Sequence, residues 1–345
     1  MSHAAPPALT YPEAIVVGAI QGVSELFPVS SLGHNVLIPA LVGGRWATDL
    51  SVAKPESPYL AFIVGLHVAT ALALLAYFWR DWIRIIGGFL TSIRDRQVTT
   101  TDQRLAWMII IATIPVGIVG LFAEHTFRVL FGKAIIAAYF LIANGIILYA
   151  GERFRPQSSR LADEQIQAGR SDAQQWQAAR ERELATVPPR QRGGGRHAGG
   201  HQAERQREVS QALAADARLS KIGYVQGLVI GSTQILALLA GISRDGVAMV
   251  GGMFRGLSRQ DAARFSFLLS APVILAAGVL KVPDLMGTLG NGIRSQILVG
   301  SILSFIGAYL AVRFLMKYVQ TRTLTPFAIY CVAFGLGSVI YLNVR

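Results

Sequence analysis

Cysteine and charged residues are scarce in this sequence. The single cysteine, Cys331, excludes an intramolecular disulfide. Only 15% of the 345 residues are charged, whereas 52% are hydrophobic. A soluble domain carries about 25% charged residues, so this composition excludes an ordinary soluble protein. The chain also lacks a Walker motif, a dinucleotide-binding fingerprint, a Cys/His metal cluster and a G-x-S-x-G elbow, which removes the enzyme classes that these motifs identify.

Acidic residues are fewer than basic ones, 20 against 32, which gives a formal net charge of +12. In a soluble protein this excess would suggest nucleic-acid binding. Here the basic residues lie mainly between apolar runs, where Lys and Arg set membrane orientation, so we predict no nucleic-acid partner. Several of the apolar runs approach or reach the roughly 17–25 residues that cross a bilayer.

Two apolar segments are interrupted by turn-forming residues. Residues 14–42 are broken at Pro28-Val29-Ser30-Ser31-Leu32-Gly33, and residues 222–256 at Gly241-Ile242-Ser243-Arg244-Asp245-Gly246. Each half is too short to span a bilayer, so we predict two re-entrant hairpins, whose irregular backbone is buried in protein or faces a water-filled cavity. Six further runs are predicted to cross fully, at about 59–79, 105–122, 133–151, 262–280, 293–315 and 326–343.

A polar insert separates two membrane halves. We predict an N-terminal half at 1–151, a C-terminal half at 222–345, and a solvated insert at 152–221 with helical pieces at 161–185 and 203–219. If both hairpins are re-entrant, the three most basic connections fall on one side, which the positive-inside rule makes cytoplasmic. The predicted fold is an all-α polytopic membrane protein with about six full transmembrane helices and two inverted re-entrant hairpins.

The first break follows two polar residues that share a helix face, Gln21 and Glu25. An ionisable group within a membrane segment is a functional residue by default. The alternative for Glu25 is a structural ion pair with Arg244 or Arg264.

Two serines and a histidine form the turn itself. Ser30 and Ser31 are candidate helix caps, and their helix start is also a seat for phosphate; either is a candidate nucleophile. His34 is a candidate general acid or base, nucleophile or phosphate donor, although a lone histidine is more often simply hydrogen-bonded. For His67, within the 59–79 run, a buried hydrogen-bonded position and a cavity-lining one are equally consistent with the sequence.

The second break carries a permanent cation. The planar fork of Arg244 suits phosphate, and Gly241 and Gly246 allow close backbone approach. Ser243 adds a hydroxyl. Asp245 offers a local salt bridge as the alternative, but adjacent side chains point apart, so we expect Arg244 to face a ligand.

Other polar residues near the second break are more ambiguous. Gln234 precedes this break much as Glu25 precedes the first. We expect Arg255 and Arg259 near a membrane surface, and Arg264 to snorkel. Together, the residues of the two breaks predict a site for a charged phosphate group at a membrane.

Both breaks resemble the motifs of the undecaprenyl-diphosphate phosphatase family, of the bacitracin-resistance type. The family's E/Q-x-x-x-E and P-V-S-S-x-G-H motifs are filled by Gln21, Glu25, Pro28, Ser30, Ser31, Gly33 and His34. Its P-G-x-S-R-S-G motif is matched by Gly241, Ser243, Arg244 and Gly246. The run "GGMFRGLSRQDAARFSFLLSAP" at 251–272 adds to the likeness.

This resemblance implies that the protein removes the terminal phosphate of a C55 polyprenyl diphosphate and so regenerates the carrier for cell-wall assembly. It also implies a bacterial inner-membrane location, an outward-facing active site and a homodimer. The implied catalytic residues are Glu25, Ser31, His34 and Arg244. The implied substrate-binding residues are Gln21, Ser30, Gly33, Gly241, Ser243 and Gly246.

Two residues differ from the family pattern, and at a third position the chain has one of the two residues that the pattern permits. Ala240 replaces the proline of the second motif and Asp245 its second serine, which predicts a less rigid loop and a weaker hold of Arg244 on diphosphate. Gln21 stands where the motif also permits Glu, which removes one potential metal ligand. A Mg²⁺ or Ca²⁺ ion bridging Glu25 and the diphosphate fits hard-oxygen coordination.

Several mechanisms and functions remain open at this stage. Ser31 attacks phosphorus with Glu25 or His34 as base, or His34 is the nucleophile, or water attacks directly. A polyprenyl-phosphate flippase or transporter would need the same phosphate clamp, and inverted repeats with broken helices are common in carriers. A divergent lipid-phosphate phosphatase and a purely structural role are further alternatives.

Overall fold

The computed structural model describes residues 9–50, 58–131, 133–186, 209–286 and 292–344. These residues form helices and no β-strand, which confirms the all-α class. The helices of the first half are α1 Tyr11–Leu26, α2 Ser31–Val42, α3 Gly44–Asp49, α4 Pro58–Tyr77, α5 Trp79–Asp95, α6 Thr101–Phe131 and α7 Ala134–Arg153. The remaining helices are α8 Gln157–Thr186, α9 209–219, α10 Tyr224–Thr233, α11 Arg244–Phe254, α12 Arg259–Met286, α13 Arg294–Tyr318 and α14 Thr325–Val344.

Five of these helices are long and apolar enough to cross a membrane, namely α6, α7, α12, α13 and α14. A sixth span is obtained if the bent pair of α4 and α5 is counted, because these helices meet at an angle of 85°. The prediction of about six membrane-crossing segments is therefore confirmed. The sequence did not predict that the basic stretch after Tyr77 forms a helix of its own, α5.

Both interrupted segments are broken helices, as predicted. The first is α1 and α2, separated by residues 27–30, and the second is α10 and α11, separated by a 3₁₀ turn at Gln234–Leu238 and an irregular stretch. Thr10 and Glu13 form a capping box that starts α1. Ser30 caps α2 and Ser243 caps α11, each by accepting a hydrogen bond from the backbone N–H three residues on.

The helices pair in the pattern expected of two repeated halves. Helix α1 of the first hairpin packs against α13 of the second half, and α10 of the second hairpin packs against α6 of the first. Helices α4 and α12 pair with each other, as do α7 and α14. The α1–α13 contact depends on small residues, because a Cβ added to Gly18 would lie 2.5 Å from the carbonyl oxygen of Gly300.

The insert is anchored to the membrane halves at both ends, a feature that the sequence did not predict. The hydroxyl of Ser159 in α8 donates to the carbonyl of Leu257 at 2.6 Å. The buried carboxylate of Asp216 in α9 pairs with Arg84 at 2.6 Å and with Arg264 at 2.9 Å. Predicted helical pieces at 161–185 and 203–219 correspond to α8 and α9, except that residues 203–208, like the Gly-rich stretch between the helices, lie outside the described residues.

The three arginines after the second break are placed differently from one another. Arg255 is exposed, and its expected position near a membrane surface stays a prediction. Arg259 is buried and forms an ion pair with Glu152 at 2.7 Å. The snorkelling predicted for Arg264 is wrong, because this side chain is buried and lies 3.0 Å from Asp81 as well as close to Asp216. A buried guanidinium requires such partners, since an unpaired charge is costly to desolvate.

Candidate active site

The two broken helices meet at their turns. The hydroxyl oxygen of Ser30 accepts hydrogen bonds from the N–H of Gly33 and from the N–H of Gly241, both at 3.2 Å. A Cβ added to Gly33 would lie 2.9 Å from the Cα of Gly241, so only glycine allows this backbone contact. Gly241 has a φ of +113° and Ser30 a φ of +67°, so both turns use left-handed backbone. The predicted meeting of the two hairpins is confirmed.

Asn144 of α7 joins the two turns from the other side. Its amide nitrogen donates to the carbonyl of Pro28 at 2.9 Å, and its amide oxygen accepts the N–H of Ser243 at 2.9 Å. The side chain is fully buried. Since each bond satisfies a backbone group of a different break, Asn144 holds both breaks in register. Gly246 lies at the same junction, where an added Cβ would be 3.3 Å from the Cβ of Pro28.

Glu25 is the centre of the polar cluster. Its Oε2 accepts hydrogen bonds from Gln21 Nε2, at 2.8 Å, and from the hydroxyl of Ser31. Its Oε1 lies 3.2 Å from Nη2 of Arg244. The sequence alternative of an ion pair with Arg244 is therefore present, but it also brings the acid of one hairpin to the guanidinium of the other, as predicted for a shared phosphate site.

Gln21 is itself oriented by a neighbour. Its amide oxygen accepts a hydrogen bond from Asn35 Nδ2 at 2.6 Å, which directs its amide nitrogen towards Glu25. Gln21 and Asn35 are both buried. A glutamate at position 21 would place a second carboxylate beside Glu25, and the two negative charges would repel each other. The amide of Gln21 instead donates a hydrogen bond to the Glu25 carboxylate.

Arg244 retains an unused donor. Nη2 pairs with Glu25, whereas Nη1 is buried and has no hydrogen-bond partner among the described residues. The side chain as a whole is 23% exposed, although Nη1 itself is buried. A buried N–H without a partner is costly. A guanidinium group with one nitrogen paired to a carboxylate and the other without a partner is suited to bind an anionic oxygen of a ligand.

His67 is the residue whose position the sequence left undecided. Its Nδ1 lies 2.8 Å from the carbonyl oxygen of Ile63, and its Nε2 lies 3.4 Å from Oε2 of Glu25. A carbonyl can only accept, so Nδ1 carries a hydrogen and Nε2 faces the carboxylate. The side chain is 22% exposed. Its position in the middle of an apolar run was a signal, but only the fold shows that it faces Glu25.

His34 is placed apart from this cluster. Its Nδ1 lies 2.7 Å from the carbonyl oxygen of Ser30, and its Nε2 lies 2.6 Å from the hydroxyl of Tyr330. Its ring stacks near those of Tyr330 and Phe334, with centroid distances of 5.7 and 5.2 Å. Both ring nitrogens are thus occupied. Among the described residues, His34 forms no hydrogen bond or ion pair with Glu25, Ser31 or Arg244.

Asp245 does not form the local salt bridge with Arg244 that was the alternative in the sequence. Its buried carboxylate accepts hydrogen bonds from the hydroxyls of Ser266 and Ser270 in α12, both at 2.6 Å. No ion pair within 4 Å joins it to Arg244 in the described part of the chain. The extra carboxylate therefore fastens α11 to α12.

Gln234 is not part of the polar cluster. Both atoms of its amide are buried without a hydrogen-bond partner among the described residues. The 3₁₀ turn that begins at Gln234 also makes the second break longer than the first. The likeness between Gln234 and Glu25 is therefore limited to the sequence.

The cluster does not fit a resident metal ion. The described residues contain no group of three or more His, Cys, Asp or Glu side chains that could hold one. Both oxygens of Glu25 already face donors, and two of its neighbours, Arg244 and His67, are basic side chains. Divalent cations require several oxygen ligands, and Glu25 offers one carboxylate.

Comparison with known proteins agrees with the motifs that form this site. The chain is 55% identical over 337 residues to "Undecaprenyl-diphosphatase" of Mycolicibacterium paratuberculosis, which covers 98% of this chain and 99% of the relative. It is 52% identical to "Undecaprenyl-diphosphatase 2" of Frankia alni, over 95% of this chain and 96% of the relative, and 35% identical to "Undecaprenyl-diphosphatase" of Granulibacter bethesdensis, over 96% of each. The model of the family described as bacitracin resistance protein BacA matches residues 14–178 and 201–337. The chain therefore belongs to the bacitracin resistance protein BacA family.

Proposed function

We propose that this protein is a membrane phosphatase that hydrolyses undecaprenyl diphosphate to undecaprenyl phosphate and inorganic phosphate. The observation that carries the proposal is the contact between the two hairpins, where Glu25 holds the Ser31 hydroxyl and also pairs with Arg244. One arrangement thus combines a nucleophile, a base and a phosphate-binding cation. The high identity to relatives named for this activity supports the same substrate.

In the first step, the Ser31 oxygen attacks the terminal phosphorus. Glu25 accepts the hydroxyl proton through the hydrogen bond that already joins them. The bond from phosphorus to the bridging oxygen breaks, and undecaprenyl phosphate leaves. The free nitrogen of Arg244 binds a non-bridging oxygen and stabilises the charge that develops there.

In the second step, water attacks the phosphorus of phosphoserine and the bond from phosphorus to the Ser31 oxygen breaks. The proton that Glu25 took up in the first step returns to this oxygen, which restores the Ser31 hydroxyl and the Glu25 carboxylate. The protons of the attacking water leave with inorganic phosphate, and His67 lies beside Glu25 as a second basic group. Gln21 keeps Glu25 in place throughout. This assignment uses Ser31 as the nucleophile and gives His34 no direct contact with phosphorus.

The finer points of location and assembly are part of the proposal. The clustering of basic residues in three connections supports a cytoplasmic position for these loops, and hence an active site on the outer side of the bacterial inner membrane. The homodimer implied by the family resemblance stays a prediction, and so does the Mg²⁺ or Ca²⁺ ion. Because Glu25 alone does not fit a resident metal, we route no step through one.

The test is a phosphate-release assay on purified protein in detergent with C55 diphosphate, with and without a chelator. We expect release of one phosphate per lipid and accumulation of the lipid monophosphate. A protein that only moves the lipid across a membrane would release none, and that outcome would refute the proposal in favour of a transporter. Loss of activity with chelator, restored by Mg²⁺ or Ca²⁺, would show that the reaction requires a divalent ion.

A further inference from the structure

We propose that Tyr330 is a positioning residue for the reaction and that it acts through His34 on the strained turn that presents Ser31. This inference rests on the proposed function and extends it to α14, a helix with no side chain in the polar cluster around Glu25. Three features link α14 to this turn, namely the conformation of Ser30, the two bonds of the His34 ring, and the position of the Tyr330 hydroxyl.

Ser30 is held in an unfavourable conformation. Its φ of +67° is one of only two positive values for non-glycine residues in the described part of the chain. Such a conformation is unfavourable for a residue other than glycine and persists only where neighbouring contacts impose it. Here the hydroxyl of Ser30 accepts two backbone N–H groups, from Gly33 and Gly241. The conformation also directs the peptide bond from which Ser31 starts.

The His34 ring fixes the same peptide bond from its other end. The carbonyl oxygen of Ser30 accepts the backbone N–H of His34 at 3.2 Å and lies 2.7 Å from its Nδ1. Because a carbonyl has no hydrogen to donate, Nδ1 must carry one. In the neutral ring, Nε2 is then an acceptor. His34 therefore stabilises the Ser30–Ser31 peptide, and neither of its nitrogens remains for proton transfer from Ser31.

Tyr330 selects this state of the ring. Its hydroxyl lies 2.6 Å from Nε2 of His34 and donates to it, which favours the tautomer with hydrogen on Nδ1. The rings of Tyr330 and His34 are nearly parallel, at 3°, and Phe334 packs at 15° to His34. The ring is thus fixed in both orientation and tautomer, as in metal sites where an outer partner fixes a histidine. Tyr330 is 43% exposed, which makes it the least buried of the three residues in this series of contacts, Ser30, His34 and Tyr330.

The experiment compares Tyr330→Phe with two substitutions of His34. An asparagine places its amide nitrogen where Nδ1 lies and can still donate to Ser30, whereas a glutamine places it where Nε2 lies and cannot. We expect Tyr330→Phe to lower kcat about tenfold with little change in KM, as expected for one lost hydrogen bond. His34→Asn should retain activity within about tenfold of wild type, and His34→Gln should lose about 100-fold or more. The matched control is Tyr149→Phe, an exposed tyrosine of α7 with no hydrogen bond to another described residue.

The double variant of Tyr330→Phe and His34→Asn tests whether Tyr330 acts through His34. If Tyr330 acts through His34, Tyr330→Phe should have little further effect in the His34→Asn background, because the bond it removes is already absent. A tenfold loss in both backgrounds would overturn the proposal. So would equal inactivity of His34→Asn and His34→Gln in folded protein, because that is the behaviour of a histidine that takes part directly in the chemistry.

A second measurement does not depend on turnover. In ¹⁵N-histidine-labelled protein in micelles, the His34 ring, identified by its loss in His34→Asn, should show hydrogen on Nδ1 in wild type and an altered tautomer balance in Tyr330→Phe. Unchanged ring signals would refute the role of Tyr330. If wild-type protein released no phosphate, the proposed function would fail while these spectra would still decide whether Tyr330 fixes His34.

Discussion

Replacement of Asn144 by alanine tests whether the junction of the two hairpins depends on one side chain. Asn144 is fully buried and bonds to the Pro28 carbonyl and to the Ser243 N–H, both at 2.9 Å. Alanine removes both bonds, and also a weaker one from the amide nitrogen to the sulfur of Cys331 at 3.4 Å, without adding new atoms. The variant therefore leaves one buried backbone acceptor and one buried backbone donor without the side chain that they bond to.

The expected cost follows from these two groups. Each buried polar group that loses its partner costs about 1–3 kcal/mol, so we expect a loss of about 2–6 kcal/mol in the free energy of unfolding. A weak contact from the thiol of Cys331 to the same carbonyl, at 3.9 Å, offsets little of it. We also expect kcat to fall, because the two breaks carry Ser31 and Arg244 and their separation is set at this junction.

The assay is unfolding by SDS titration in mixed micelles, together with phosphate release. Asn343→Ala is the matched control, because Asn343 bonds only to the carbonyl of Val339 at an exposed helix end, and its loss should cost less than about 0.5 kcal/mol. Asn144→Asp keeps the acceptor for Ser243 and should fall between the two. Stability and kcat of Asn144→Ala equal to those of Asn343→Ala would refute the reasoning.

Three further variants address the site and the insert. Arg244→Lys keeps a charge beside Glu25 but loses the free fork nitrogen, so kcat/KM in the phosphate-release assay should fall about 10²–10³-fold; near-normal turnover would contradict the clamp. Ser31→Ala should lose at least about 10³-fold in kcat and form no phosphoenzyme in a ³²P trapping experiment, whereas a trapped phosphoenzyme would exclude Ser31 as nucleophile. Asp216→Asn removes the charge shared by two arginine side chains and should destabilise the protein by about 3–5 kcal/mol in SDS titration, against no change for the exposed Asp172→Asn.

The positions of the breaks were predictable because local residues determine them. Pro28 and the serine caps end one helix and start the next, and Gly241 supplies a left-handed residue, so both interruptions are visible in the sequence. The meeting of Glu25 and Arg244 was predictable by a different argument. Two opposed charges in apolar segments are costly alone and favourable together.

The directions of side chains near the breaks were not predictable, because helices distant in sequence determine them. Asp245 turns towards two serines of α12, and His34 turns towards Tyr330, which lies 296 positions later in the chain. Asn144 has no charge and no motif, so the sequence gives no sign of its two bonds. The anchoring of the insert through Asp216 was not predictable for a related reason, since the polar residues around it are typical of a segment exposed to water.

The backbone contact between Gly33 and Gly241 has a consequence for how the enzyme works. The two turns are in contact and are hydrogen-bonded through Ser30, so they cannot move apart without breaking several of these interactions at once. The site is thus preorganised, and the cost of assembling it is met once, during folding, rather than in each catalytic cycle. The lipid must then be the part that moves, because its headgroup has to reach a binding site that does not open to receive it.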